Sequence, residues 1–374
     1  MNKEKGKMNG NLKFWISLGL LGVLCLSFFT SCNHAEFPYG TETTQESVSK
    51  EETTAFSDED TSSEKVPSQS EEAGSKGLTY AVNEDGKTCT VTGLGTCKDL
   101  QIVIPVAVDG LSVTTIGARA FEGCENLVGV EIPEGITVIE ESAFAECSSL
   151  TKITVPNSVK TIGNNAFYAC GGLQSAVIGN GVTAIGDSAF YSCFAMTEIG
   201  IPDSVQSIGM NAFRYCSGLK KLVIGNGVKA IGGFAFYECT SLTNITLPDS
   251  VTEIGEYAFS KCFGLTEIKL GDGLKSIGNS AFNDCTKLTS VEIPDGVTAI
   301  GEWVFAMCMD LQAVTVGNGV SEIGQCLFSN CFGLTEIRYN GTQAQWEAVA
   351  KDSYWRSGAY LTTVVCSDGT ILLE

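Results

Sequence analysis

From Ile116 onward the chain repeats itself every 23 residues, and this period constrains the fold more than any other feature. Ile116, Ile139, Ile162, Ile185, Ile208, Ile231, Ile254, Ile277, Ile300 and Ile323 keep the spacing without one insertion. A Phe follows each Ile by five residues, from Phe121 to Phe328, and a Cys follows each Phe by three, from Cys124 to Cys331. One unit runs Leu242-Thr-Asn-Ile245-Thr-Leu247-Pro248-Asp-Ser-Val251-Thr-Glu-Ile254-Gly-Glu-Tyr-Ala258-Phe259-Ser-Lys-Cys262. The Ile245/Leu247 alternation is that of a strand with one buried face. Pro248 ends that strand because it cannot donate to a ladder. Val251 and Ile254 begin a second wall, and Ala258 and Phe259 a third, expected to be one helical or 3-10 turn. A single unit buries too few side chains to make a core, so the units must stack. With parallel strands about 4.8 Å apart, ten coils make a rod of roughly 50 Å.

The residue after the first strand alternates. Pro156, Pro202, Pro248 and Pro294 occupy it in one set of coils, and Gly179, Gly225, Gly271 and Gly317 in the other. The higher period of 46 residues implies growth by duplication of a two-coil unit.

The pattern Leu-x-x-Ile-x-Ile-Pro-x-x-Val-x-x-Ile-Gly-x-x-Ala-Phe-x-x-Cys resembles the leucine-rich repeats of bacterial BspA-like surface proteins, over about residues 78–374. The resemblance implies a solenoid with a parallel β-sheet on one face, short second strands and capped ends. Leu78-Thr-Tyr80 to Val91-Thr-Gly93, then Ile102-Val-Ile104-Pro105, looks like the degenerate first coil of that family. Trp346, Trp355 and Thr363-Val-Val-Cys366-Ser-Asp-Gly369 resemble its closing cap. Caps are needed because open ends would expose strand edges and core. The family implies surface antigens or adhesins that bind host matrix proteins or other cells.

Ahead of the repeats, Lys3, Lys5, Lys7 and Lys13 precede an apolar run of 16 residues, Phe14 to Phe29. That is short for a membrane span and typical of a signal peptide. The run ends Phe29-Thr30-Ser31-Cys32, which resembles a bacterial lipobox and makes Cys32 the expected lipidation site. An ordinary cleaved signal and an uncleaved anchor are the alternatives. Residues 33–76 carry 11 acidic and 3 basic side chains, 3 − 11 = −8, with few aromatics. Such a stretch cannot bury enough apolar surface to fold, and its self-repulsion favours an extended stalk. The expected organisation is signal and lipobox 1–32, stalk 33–76, N-terminal cap 77–115, ten repeats 116–339 and C-terminal cap 340–374.

Several functions are excluded or disfavoured. The only histidine, His34, precedes the repeats, so no Ser-His-Asp triad, Cys-His dyad or imidazole zinc site can form in them. A net charge of −20 argues against nucleic acid. The Cys ladder reads as small inward-facing hydrophobes rather than a metal or redox device. Neighbouring rungs are close enough for disulfides, but their parallel Cβ vectors oppose bonding, so the ladder is expected to stay reduced. Cys89 with Cys97, and Cys326 with Cys366, lie off the ladder and are candidate cap disulfides. Asp203, Asp249 and Asp295 recur at one turn position, where Asp serves its own backbone, so they are not read as paired catalytic acids. Gly179-Asn-Gly181 recurs at coil corners and lacks the strand-to-helix setting of a phosphate loop. No enzyme, metal or cofactor is expected.

Positions left free by the repeat carry what function the sequence reveals. Tyr168, Tyr191, Arg214 and Tyr237 follow the repeat Phe in four successive coils, and Phe234, Tyr257 and Trp303 stand three residues before that position. On a helical turn the two columns would be neighbours. Exposed aromatics with Arg are typical of interface hot spots, although the same rings would also serve to cover adjacent coils. Phe194, Phe263 and Phe332, after the ladder Cys, are expected to be partly buried. The outward face of the main sheet carries the mixed charges Glu131, Lys152, Glu198, Lys221, Glu267, Lys269, Glu292, Glu336 and Arg338, as a solvated face does. The expectation is an extracytoplasmic, membrane-anchored surface protein that adheres to a matrix protein or partner cell. A glycan-binding protein and a structural envelope protein without a ligand are the alternatives.

Overall fold

The computed structural model describes residues 74–373. The signal segment, Cys32 and the stalk up to residue 73 lie outside them. The repeats form a three-walled β-solenoid. Strands of the first wall pair in parallel with an offset of one repeat, so Lys152, Ser175, Glu198 and Lys221 stand side by side. The second wall consists of two-residue strands such as Ala184–Ile185 and Ser207–Ile208, each paired with its neighbours one repeat away. These short strands run unbroken from the N-terminal hairpin Thr79–Val82/Thr88–Gly93 to Ala350–Lys351. The first wall is divided into separate ladders of two, four and seven strands.

The third wall is not the helical or 3-10 turn expected from the sequence. Within a coil, Ala166 N–H donates to Gly163 O, Tyr168 N–H to Asn165 O and Cys170 N–H to Phe167 O, all i to i−3. The intervening N–H groups of Phe167 and Ala169 donate instead to Ala189 and Tyr191 of the next coil, at 2.8 and 2.7 Å. Asn165 and Ala169 have φ of 56° and 55°. A helix requires negative φ throughout and sends no backbone donors sideways. This wall is a ladder of β-turns in which alternate residues bond along the rod. Its stack would be lost if the coil closed into a helical turn.

The core is one continuous stack. All ten repeat phenylalanines are fully buried, with rings 5.0–6.0 Å apart and nearly parallel. Each ladder thiol from Cys147 onward donates to the carbonyl of the Phe one coil earlier, for example Cys216 Sγ to Phe190 O at 3.2 Å. A small apolar side chain with one weak donor fits that position, and Ser would cost more to desolvate. Every described cysteine is a free thiol, including Cys89, Cys97, Cys326 and Cys366. Neither cap pair is bonded, and the members of each lie in different parts of the coil. Cys89 lies in a second-wall strand and Cys97 in the turn beyond it, while Cys326 lies on the turn wall and Cys366 in a first-wall strand.

The C-terminal cap is closed by aromatics instead. The helix Gln343–Ala348 starts at a Thr342/Gln345 capping box and buries Trp346. Trp346 packs edge-on against Trp355 at 5.8 Å, and Trp355 against Phe328, the last rung of the stack, at 6.2 Å. The hairpin Thr363–Cys366/Gly369–Leu372 then ends the first wall.

The 46-residue alternation has a steric cause. Asp203 Oδ1 accepts the backbone N–H of Asn226 one coil on, at 2.6 Å, while Ser204 Oγ donates back to Val182 O at 2.6 Å. Asn157, Asp249 and Asp295 accept in the same way. The Pro-Asx turn therefore serves the following coil rather than its own backbone. The Gly turn lies directly against it, where a Cβ on Gly225 would stand 2.6 Å from the backbone of Pro202 and Asp203. Gly225→Ala is expected to destabilise by about 1–3 kcal/mol through overpacking. Gly200→Ala, where a Cβ meets nothing within 4 Å, should stay within about 0.5 kcal/mol in urea titrations. Equal effects would refute the steric account.

Candidate functional site

Three columns of side chains run along the turn ladder, half-buried where they are large, as at Tyr168, Tyr191, Arg214 and Tyr237, and buried where they are small, as at Ser142, Ser260 and Ala306. The central column follows the buried Phe, and one column on each side adopts the left-handed backbone. The coil, not the residue, sets this geometry, because Ser142, Asn165, Ser188, Asn211 and Ser280 share it. Small polar residues tolerate it, whereas for a bulky side chain it is an outlier costing of order 1–3 kcal/mol. Phe234, Tyr257 and Trp303 nevertheless occupy it, with φ of 57°, 54° and 59°, and Tyr215 occupies the equivalent on the other side at 64°.

Six of the seven aromatic and Arg positions singled out from the sequence come together. Tyr168 stacks on Tyr191 at 4.8 Å, with planes 11° apart. Tyr191 meets the edge of Tyr215 at 5.3 Å, and Tyr215 meets Tyr237 at 5.9 Å. Phe234 touches Tyr237 and stacks on Tyr257 at 4.7 Å. Arg214 sits in the middle, its guanidinium 4.8–5.1 Å from the ring centres of Tyr215, Phe234 and Tyr237. It donates to Asn211 Oδ1 at 3.1 Å and to Tyr215 Oη at 3.0 Å, while its Nε is buried without an acceptor. Burial raises the Tyr191 pKa, and Arg214 partly opposes the shift. Trp303, the seventh, lies two coils beyond Tyr257 and is 41% exposed.

Sequence reasoning missed Tyr215, Glu238 and Lys261. They form the second left-handed column, which does not exist on the helical turn assumed from the sequence. Lys261 Nζ lies 3.3 Å from Glu238 and 5.3 Å from the Tyr237 ring. A hydrogen bond to Tyr237 is the largest cause of the raised Lys261 pKa. Phe194, Phe263 and Phe332 also differ from expectation. They are 59%, 40% and 46% exposed, because the corner after the Cys turns outward, and Phe194 rests over Gly171. The outward sheet face presents its charges in two rows. Lys221 stands opposite Glu198, and Lys269 lies beside Asn244-Ile-Thr246.

The repeat signature matches the family described as BspA type leucine rich repeat region, over residues 101–220 and 206–335. A solved leucine-rich repeat protein from Bacteroides ovatus is 29% identical, with 78% of this chain and 75% of that chain covered and a TM-score of 0.65. A leucine rich cell surface protein from Faecalibacterium prausnitzii is 26% identical, covering 74% of this chain and 97% of that one, with a TM-score of 0.42. The T. pallidum leucine rich repeat protein is 29% identical over 57% of this chain and 88% of that one, with a TM-score of 0.45. No curated protein matches the chain.

Proposed function

The chain belongs to the BspA-type leucine-rich repeat family, and from that premise we propose that it is an adhesive, protein-binding module held at the cell surface. The family and fold are those of repeat proteins that are generally non-enzymatic. In this reading lipidated Cys32 anchors the chain, residues 33–76 space the solenoid from the membrane, and the turn ladder contacts a matrix protein or partner cell. One observation carries it. Phe234, Tyr257 and Trp303 occupy left-handed positions where five of the other coils place Ser or Asn, at a cost in stability that the fold does not require. Tyr and Arg are also the residues that dominate protein interfaces. A glycan reading is weaker at Tyr168 and Tyr191, because each covers one face of the other, and sugars stack on open faces.

The test is binding of the purified protein to a panel of extracellular-matrix proteins and to a glycan array. A saturable protein signal that Tyr191→Ala/Tyr237→Ala weakens about tenfold or more is expected. A signal untouched by the double variant would remove the turn ladder from the function. A glycan signal alone would replace the protein partner.

A further inference from the structure

One stretch of the repeats, about a coil and a half long, is the most cationic; residues 147–186 also lack a carboxylate but carry only Lys152 and Lys160. From residue 204 to residue 237 there are four cations, Arg214, Lys220, Lys221 and Lys229, and no carboxylate, in a chain of net charge −20. The coils on either side carry only acids: Asp187, Glu198 and Asp203 before it, and Glu238, Asp249, Glu253 and Glu256 after it. The two ion pairs among the described residues are Arg119–Glu122 and Lys261–Glu238, so none of the four cations is paired. Arg214 is the most constrained. Three rings flank it, two of its five N–H groups are used by neutral acceptors, and Nε has none. Lys220 and Lys221 follow it round the corner from the third wall to the first, and both are exposed. The exposed Phe194 ring lies at the same corner, one coil earlier. Of the neighbouring carboxylates, Glu238 is bonded to Lys261, while Glu198 stands in register beside Lys221 on the adjacent strand without an ion pair.

We propose that this corner, centred on Arg214 with Lys220 and Lys221, seats an acidic segment of the protein partner, with a partner carboxylate on the Arg214 guanidinium. The proposal rests on the protein-binding reading above and adds the chemistry of what is bound. A guanidinium among aromatic rings is partly desolvated, and there a charge-assisted bond to a carboxylate is stronger than in water. At about 0.15 M salt, fields decay within about 8 Å, so an approaching peptide feels these cations and the immediately flanking coils rather than the whole chain's negative charge. An acidic peptide is favoured over an acidic polysaccharide because the neighbouring Tyr168 and Tyr191 faces are already stacked on one another and are not open to a sugar ring.

The experiment titrates the full-length protein with a fluorescent oligo-glutamate peptide, and in parallel with dextran sulfate. Saturable peptide binding is expected, weakened about tenfold by Arg214→Gln and several-fold by Lys220→Gln/Lys221→Gln, and unchanged by Lys275→Gln on another coil. Arg214→Lys, which keeps the charge but loses the fork, should fall in between and serves if Arg214→Gln does not fold. Absence of peptide binding, equal loss in Lys275→Gln, or binding of dextran sulfate alone would each overturn the proposal. If a panel protein binds and responds to Tyr191→Ala/Tyr237→Ala but not to Arg214→Gln, the protein-binding function stands and the acidic-segment proposal falls.

Discussion

Raising the pH above about 9 is expected to unfold the solenoid in one steep step, because its core is a ladder of neutral thiols. Burial holds the Cys216, Cys262 and Cys331 thiols up to about 12, against an ordinary value of 9.0. The same cause raises Cys193, Cys239, Cys285 and Cys308. The folded state keeps these protons while the unfolded chain releases them above pH 9. The stability they contribute is therefore complete below pH 9 and is lost as pH rises toward 12. Each such thiol removes about 1.4 kcal/mol per pH unit, so three remove about 4 kcal/mol per unit. Against a domain stability of about 5–15 kcal/mol, that places unfolding within about one to four units above pH 9, earlier as further rungs join. Circular dichroism and thiolate absorbance, followed together under reducing conditions, should change at the same pH. Cys216→Ala/Cys262→Ala should make the step shallower by about two protons. Thiolate appearing while the β-signal persists would show that the ladder is open to solvent, contrary to its burial.

The period of 23 residues was enough to read the stacking direction, the buried Phe and Cys columns and the need for caps, because a residue repeated at one coil position must face one way. What stayed illegible depended on backbone geometry that no periodicity encodes. The Ala-Phe wall has the spacing of a helical turn, yet alternate donors such as Phe167 N–H bond to the next coil. That difference creates a second left-handed column, and with it the contribution of Tyr215 and Lys261 to the aromatic cluster. The Pro/Gly alternation was visible as a pattern, but its cause, the Pro202 turn pressed against Gly225, is a contact between residues 23 apart. Pairing the off-ladder cysteines by the cap they share also misled, because Cys326 and Cys366 lie on different walls and all four thiols are free. The charge belt around Arg214 was present in the composition of about a coil and a half and hidden by the whole-chain sum.

Removing one ring from the middle of the Phe stack should cost more than any surface change and should also divide the rod. Phe213 is fully buried, with Phe190 and Phe236 stacked on its two faces at 5.2 Å each. Phe213→Ala deletes that contact on both sides and leaves a cavity the fixed coil spacing cannot close. A loss of about 3–5 kcal/mol is expected. In a solenoid each coil is stabilised chiefly by its neighbours, so a weak central interface lets the two halves unfold separately. The urea transition of Phe213→Ala should therefore broaden as well as shift, with a smaller apparent slope. Phe328 provides the contrast, because it lies at the end of the stack against Trp355, and its loss should release only the C-terminal coil and cap. Phe328→Ala should show an early minor phase followed by a main transition close to that of the parent protein. A Phe213→Ala transition that shifts without broadening would mean that the coils cooperate over the whole rod, and that the aromatic stack adds stability without setting the unit of unfolding.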